Sequence, residues 1–498
     1  MEPALVSSLD RIVDLSVGLF LDLGLDLGLN HRIHLGLNHG LDLAPIATLG
    51  PGLDPSLDPS LNFSALNQLL HTENGVLRIA LLLFPFALLV ELPLTLVMLL
   101  GVLRWKVREL SLPPKQSPYR PRVSCLITCY AEGAAVQRCL LSLCEQTYPG
   151  EIELIPVLDG AAANPHTLAA LRGFPFNPEI YPKRRFRPLL KWQRGGRVSS
   201  LNAGLSMSTG SIILALDGDT SFDNTMVTAV VRHFEDPDVP AVAGCLRVRN
   251  SWETLATAIQ AIEYLISIQM AKIGLAEWNL VNNISGAFGA FRRSILVQIG
   301  GWDTHSAEDL DLTLRIKSYF GRHRRLRIPF EPRAIGHTDG PTSFRGLLKQ
   351  RLRWDGDLLF LYGFKHSASI SPHQMGWPNF IMTVVSGLFV QLVLPFMILG
   401  SSAAILLLLP WRAALALAAL VSAVYLLWVL LNFLAMVLLV SDRPLQDLRL
   451  LPVLVVFPLT MFGLRCWSAV AILNELLRRS HEDSAMAPWW VLKRANRF

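Results

Sequence analysis

The chain has 498 residues, enough for a globular domain with a large core and further parts beside it. Hydrophobic residues make up 51% of it and the mean hydropathy is +0.39, high for a soluble protein. The net charge of +6 is too diffuse to argue for a nucleic-acid partner and suits a membrane face carrying anionic lipid.

Residues 1–75 read as a low-complexity, weakly ordered region. Leu alternates with Gly, Asp, Asn or His from Leu21 to Leu43, and a Pro-Ser-Leu-Asp unit then repeats. His31, His34 and His39 fall in this repeat with no fixed ligand geometry implied. An apolar run at 79–103 is long enough to cross a bilayer, so residues 76–104 are predicted as a transmembrane helix. Arg104, Lys106, Arg108 and Lys115 follow it, which puts the chain from residue 105 onward in the cytosol. The six cysteines form no Cys-x-x-Cys pair and read as reduced core thiols.

The middle of the chain alternates strand and helix patterns. RVSCLI (122–127), ELIPVLDG (153–160) and SIILALDGDT (211–220) are apolar β-like runs, and a helical pattern follows the first through Cys144. This predicts an α/β domain with a mostly parallel sheet, whose ligands bind beyond the carboxyl ends of the strands. Asp159, Asp217 and Asp219 fall at such ends. An Asp-x-Asp there suits a hard divalent cation that grips a diphosphate. The basic, Gly-rich segment 191–205, KWQRGGRVSSLNAGL, is a resting place for phosphate before a helix. At 300–320, GGWDTHSAEDLDLTLRIKSYF predicts a sharp turn, then a helix capped by the polar THS run with Glu308 and Asp309 in its first turn. A carboxylate there stays ionised and acceptor-only, as a general base requires.

Seven motifs in order resemble the family-2 inverting glycosyltransferases, in particular the membrane-embedded cellulose, chitin, hyaluronan and poly-N-acetylglucosamine synthases. They are TCYAEG (128–133), VLDG (157–160), GGRVSSLNAGL (195–205), LDGDT (216–220), SGAFGAFRRSIL (285–296), GGWDTHSAEDLDLTLRIK (300–317) and QRLRW (350–354). The resemblance implies a GT-A-like sheet with helices on both faces, inserted between transmembrane helices. It implies that Tyr130, Glu132 and Asp159 lie at the nucleoside, that Asp217, Asp219 and Arg197 face the diphosphate, and that Asp217 and Asp219 hold Mg2+ or Mn2+. Asp309 would be the catalytic base and Glu308 would orient the site. Gln350, Arg353 and Trp354 would hold the diphosphate and the acceptor sugar. Ala131 stands where the family usually has Asn, and Arg197 where it usually has Lys.

Further along, QAIEYLISIQM (260–270) reads as an amphipathic helix for the membrane or the site, and His337 as part of a mobile gate. Apolar stretches near 381–409, 413–440 and 450–476 predict about three transmembrane segments after an interfacial helix. The expected domains are therefore 1–75, 76–104, a cytosolic glycosyltransferase domain at 105–372, a membrane part at 373–477, and a basic tail at 478–498. The expected function is processive elongation and export of a β-linked polysaccharide from a UDP-sugar, UDP-GlcNAc or UDP-glucose, by a multi-pass protein of the plasma (inner) membrane. Its partners would be the nucleotide-sugar donor, the growing polysaccharide and the bilayer, with no nucleic acid and with room for an accessory export or regulatory subunit. The alternatives are a single-transfer glycosyltransferase on a lipid-linked acceptor and a non-catalytic scaffold.

Overall fold

A computed structural model describes residues 86–111, 117–304, 306–479 and 481. The amino-terminal repeat, the first part of the expected 76–104 span and nearly all of the basic tail lie outside the described residues. The chain divides into two units, Leu94–Phe396 with Leu420–Phe498 and Met1–Pro93 with Met397–Ala419. The first holds the whole sheet.

The unit opens within helix α1 (Leu92–Ser111), which runs seven residues beyond the expected end of the first span. Three continuous apolar runs then become β1 (Val123–Cys129), β2 (Ile152–Asp159) and β5 (Ile212–Asp217). Every residue of β1 and β2 is buried, so the sheet is covered on both faces, as near-continuous hydrophobic strands require. Helix α2 (Ala135–Cys144) follows β1, and the short strands β3 (Arg184–Phe186) and β4 (Leu189–Lys191) pair in parallel with β2. Helix α3 (Gly196–Met207) leads back into β5 and packs on β1 and β2.

Beyond β5 the sheet turns mixed. With β6 (Ser221–Phe222), β7 (Ala241–Val248), β8 (Phe288–Arg292) and β9 (Phe330–Thr338), the strand order is β3-β2-β1-β5-β8-β7-β9-β6. Strand β8 runs antiparallel between β5 and β7, whereas β7 and β9 are parallel. The sheet is mostly parallel, as predicted, with its antiparallel pairings made by β8 and β6.

Helix α4 (Leu255–Tyr264) continues through a π-helical turn, Leu265–Met270, into α5 (Ala271–Ala276). Of the two expectations for 260–270, the membrane or the site, this element meets the site motif: Gln260 Nε2 donates to Gln350 Oε1 at 2.7 Å and Glu263 pairs with Arg351. Gln260, Tyr264, Leu265, Gln269 and Met270 are buried, because the segment packs on β7 inside the domain. Helix α6 (Glu308–Lys317) carries the acidic pair, and α7 (Phe344–Leu359) carries the Gln-x-x-Arg-Trp motif. His337 is a correction. It lies in β9 opposite Ser221, and its Nε2 is 2.9 Å from Asp223 Oδ1, a strand position and not a gate.

Two described helices are long and apolar enough to cross a membrane, Trp377–Leu408 and α8 (Trp411–Leu439). The third expected segment forms α9 (Phe457–Arg478), which does not meet that description. It packs along α7 instead. Trp467 Nε1 donates to the Leu348 carbonyl at 2.8 Å, and Ser468 Oγ donates to Asp355 at 2.6 Å. All six cysteines are free and five of them are buried, as expected of core thiols.

Candidate active site

The acidic residues from four separate stretches meet beyond the carboxyl ends of β1, β2 and β5. Asp217 ends β5, and Thr128 of β1 lies beside it with Oγ1 3.3 Å from Asp217 Oδ1. Arg197, in the first turn of α3, reaches under this edge. Its guanidinium pairs with Asp217 and with Glu308, donates to Thr128 Oγ1 at 2.7 Å, and donates to the Gly286 carbonyl at 2.7 Å. Burial works against the charge on Arg197, and the two carboxylates more than offset it, so the group is held firmly protonated. Arg197 therefore bridges two acids.

Glu308 and Asp309 open α6, yet they face different surroundings. Glu308 is buried against Arg197. Burial pushes its carboxyl upward and Asp309 adds to this, while Arg197 opposes both. Asp309 is only half-buried. Its Oδ2 accepts from the Gly286 N–H at 2.9 Å and from Asn283 Nδ2 at 3.1 Å, and its Oδ1 accepts from the Leu310 N–H at 2.7 Å. Of the two, Glu308 is the more buried and is tied to Arg197, whereas Asp309 keeps some exposure. The expected polar cap is absent. Ala307 occupies the N-cap position at φ 42°, a left-handed conformation costly for a residue with a Cβ, with no side-chain cap bond. Before it, Gly300 and Gly301 make the sharp turn at φ 84° and 73°.

Asp219 lies just past Asp217, with Thr220 Oγ1 3.1 Å from its Oδ1. Burial pushes the Asp219 carboxyl up, and Asp217 and Asp339 add to that. Glu132 is raised as well, by burial first and then by Asp219 and Asp217. Its Oε2 accepts from the Tyr130 N–H at 2.6 Å. Tyr130 stays exposed with the Arg194 guanidinium 4.1 Å over its ring, a flat cationic and aromatic pair. Asp159 is fully engaged. It accepts from Lys191 Nζ at 2.7 Å and from the Gly195 and Gly196 N–H groups at 2.8 Å each, so its carboxylate holds the Gly-rich loop at the start of α3.

Helix α7 puts Gln350, Arg353, Trp354 and Asp357 at helical spacing on one face. Gln350 Oε1 accepts from Gln260 Nε2 at 2.7 Å, and the Arg351 guanidinium, paired to Glu263, lies 4.9 Å over the Trp354 ring. Arg353 is exposed and Asp357 buried. Asp311, one helical turn into α6, ties that helix to the segment after α7. It pairs with Arg315 at 2.8 Å, Lys365 at 2.9 Å and His366 at 2.8 Å, and these bonds and cations hold its carboxyl far below the usual range despite burial.

Sequence reasoning missed Asn283, the Gly286 backbone, Asp357 and Lys272. The signal for the last was a lone charged residue in an apolar helical run, AKIGLA. Among the described residues, no group of three or more His, Cys, Asp or Glu side chains is arranged to hold a metal ion.

The acids are thus clustered at the carboxyl edge of the mostly parallel sheet. Residues 212–442 match the family described as glycosyl transferase family group 2. Poly-beta-1,6-N-acetyl-D-glucosamine synthases are similar in sequence. That of Staphylococcus epidermidis is 31% identical over 234 residues, covering 47% of this chain and 53% of the relative. That of Staphylococcus aureus strain COL is 30% identical over 233 residues, with the same coverage. The chain thus spans about half the length of the curated relatives it matches. A mannosyltransferase of Pyrobaculum calidifontis, solved with GDP-Man and Mn2+, shares the fold with a TM-score of 0.52 and 21% identity over 79% of this chain and 99% of that one. The chain is thus similar to glycosyl transferase family group 2 over residues 212–442 and shares the fold of the mannosyltransferase.

Proposed function

We propose that the protein is a processive, inverting β-glycosyltransferase that elongates a polysaccharide from a UDP-sugar, with UDP-GlcNAc the first donor to test. The observation that carries this reading is the pairing of a partly exposed carboxylate, Asp309, with the Asp217–Asp219 edge through the Arg197–Glu308 bridge. The similarity to poly-N-acetylglucosamine synthases supports the choice of sugar.

In this reading Asp309 takes the proton from the acceptor hydroxyl as that oxygen attacks the anomeric carbon. The bond from that carbon to the diphosphate oxygen breaks, UDP leaves, and the configuration inverts. One base suffices, as inversion requires. Arg353 lies beside the leaving diphosphate, and Trp354 offers a flat face to the acceptor sugar. Tyr130 with Arg194 receives the uracil, and Asp159 sets the loop that frames it.

The donor set fits a hard divalent cation. Asp219 is raised by burial and by Asp217, the mark of crowded negative charge that a cation relieves. Mg2+ and Mn2+ are commonly held by one or two carboxylates with the substrate's own phosphates completing the sphere, so a third protein ligand is not required. We assign Asp217 and Asp219 to Mg2+ or Mn2+, which when bound neutralises charge on the leaving diphosphate.

We also propose that residues 105–372 form the cytosolic catalytic domain of a multi-pass inner-membrane protein, with Trp377–Leu408 and Trp411–Leu439 among its spans. Membranes containing the protein are incubated with labelled UDP-GlcNAc, UDP-glucose or GDP-mannose and Mn2+ or Mg2+. A ladder of acid-insoluble polymer supports the reading. One sugar added to a lipid-extractable acceptor replaces it with single transfer, and no product from any donor defeats both.

A further inference from the structure

Lys272 lies one residue past the π-helical turn Leu265–Met270, at the start of α5. A π turn shifts the faces of the helix that follows it, and such turns concentrate at functional sites. Here it aims Lys272 at the loop that holds Asp309. Lys272 Nζ donates to Ser285 Oγ at 2.8 Å. The next residue, Gly286, donates its N–H to Asp309 Oδ2 at 2.9 Å, and Asn283 of the same loop donates to that oxygen at 3.1 Å. The lysine helix is itself pinned. Gly274, two residues on, lies so close to α1 that a Cβ on Gly101 would sit 2.1 Å from the Gly274 carbonyl oxygen, and Trp278 Nε1 donates to the Val97 carbonyl at 2.9 Å.

We propose that Lys272 is a positioning residue that fixes the Ser285–Gly286 loop against the Asp309 carboxylate. The inference rests on Asp309 being the base of the transfer. The groups around the pair are few. Glu308 adjoins Asp309 on α6, Arg197 approaches from α3, the Cys245 thiol from β7, and the Tyr362 hydroxyl from the segment after α7. Cys245 and Tyr362 are pushed up by burial and stay uncharged at neutral pH, and Arg197 is already committed to Glu308 and Asp217. Burial draws the Lys272 ammonium down to about 8, and Asp309 pulls it back up.

The test has two arms. In the first, kcat and the donor KM are measured for the wild type, Lys272→Met and Lys272→Arg. Without the bond to Ser285 the loop no longer fixes Asp309, so kcat of Lys272→Met falls by about tenfold or more while KM for the donor changes less than about twofold. Lys272→Arg, which keeps a donor for Ser285, recovers part of kcat. An unchanged kcat in Lys272→Met, or equal loss in both variants with a raised KM, overturns the proposal. The second arm needs no turnover. Competitive acylation of Lys272 across pH, read by mass spectrometry, compares the wild type with Asp309→Asn. Removal of the carboxylate lowers the labelling midpoint of Lys272 by roughly one unit. An unchanged midpoint overturns the proposal even if the wild type makes no polymer, whereas a shifted midpoint without polymer upholds the pair and removes only the synthase reading.

Discussion

Arg197 and Glu308 lie 111 residues apart in the chain and form a buried ion pair at the centre of the candidate site. The pair joins the Gly-rich loop before α3 to the first turn of α6, and through Asp217 it reaches the edge of β5. Arg197→Met leaves two carboxylates facing each other without their cation. Breaking a buried pair from one side costs about 3–5 kcal/mol, so the variant should unfold at lower temperature and lose turnover together. Arg197→Lys keeps charge but not the fork that reaches both acids, and it should recover only part of either. Thermal unfolding in detergent beside a turnover assay checks both.

Gly286 is the crossing point of the same residues. A Cβ there would lie 3.1 Å from Glu308 Oε1, 3.5 Å from Asp309 Oδ2 and 3.6 Å from an Arg197 nitrogen. Glu308 is locked by Arg197 and cannot yield freely. Gly286→Ala should lower kcat by about tenfold or more through misplacement of Asp309, with stability changed by only about 1 kcal/mol.

Asp357 gives a pH signature to stability. Burial pushes its carboxyl up to about 7, and Glu475 and Glu308 add to that. The unfolded value is near 3.9, so the native state binds more protons than the unfolded state between these limits. Stability therefore falls as pH rises through that window, by about 4 kcal/mol at most, and levels above it. Asp357→Asn should flatten the melting temperature measured from about pH 5 to about pH 8.

Chelation separates the metal assignment from the base assignment. EDTA should abolish transfer and Mn2+ should restore it. Asp219→Asn should raise the Mn2+ concentration needed for half-maximal rate, whereas Asp309→Asn should leave that concentration unchanged and lower only the maximal rate. Titrating Mn2+ against each variant makes the comparison.

The sheet edge was legible because apolar strands ending in Asp leave a period and a terminus that text preserves, as at Asp159, Asp217 and Asp219. The helix of Glu308 and Asp309 was legible for the same reason, but its cap was not, since a left-handed Ala307 has no sequence mark. The division of labour between Glu308 and Asp309 depends on Arg197, which is remote in the chain, and no local pattern carries it. The 260–270 stretch left the membrane and the site open, because a helix buried by tertiary packing shows the same apolar face as one on a membrane.

Product analysis of wild type and Asp309→Asn side by side, with labelled UDP-GlcNAc and Mn2+, reaches the central claim most directly. The wild type should give a ladder of polymer, and the variant should fall by ~10²–10⁴-fold at unchanged donor KM. Equal ladders from both proteins would contradict the assignment of Asp309 as the base on which the account rests.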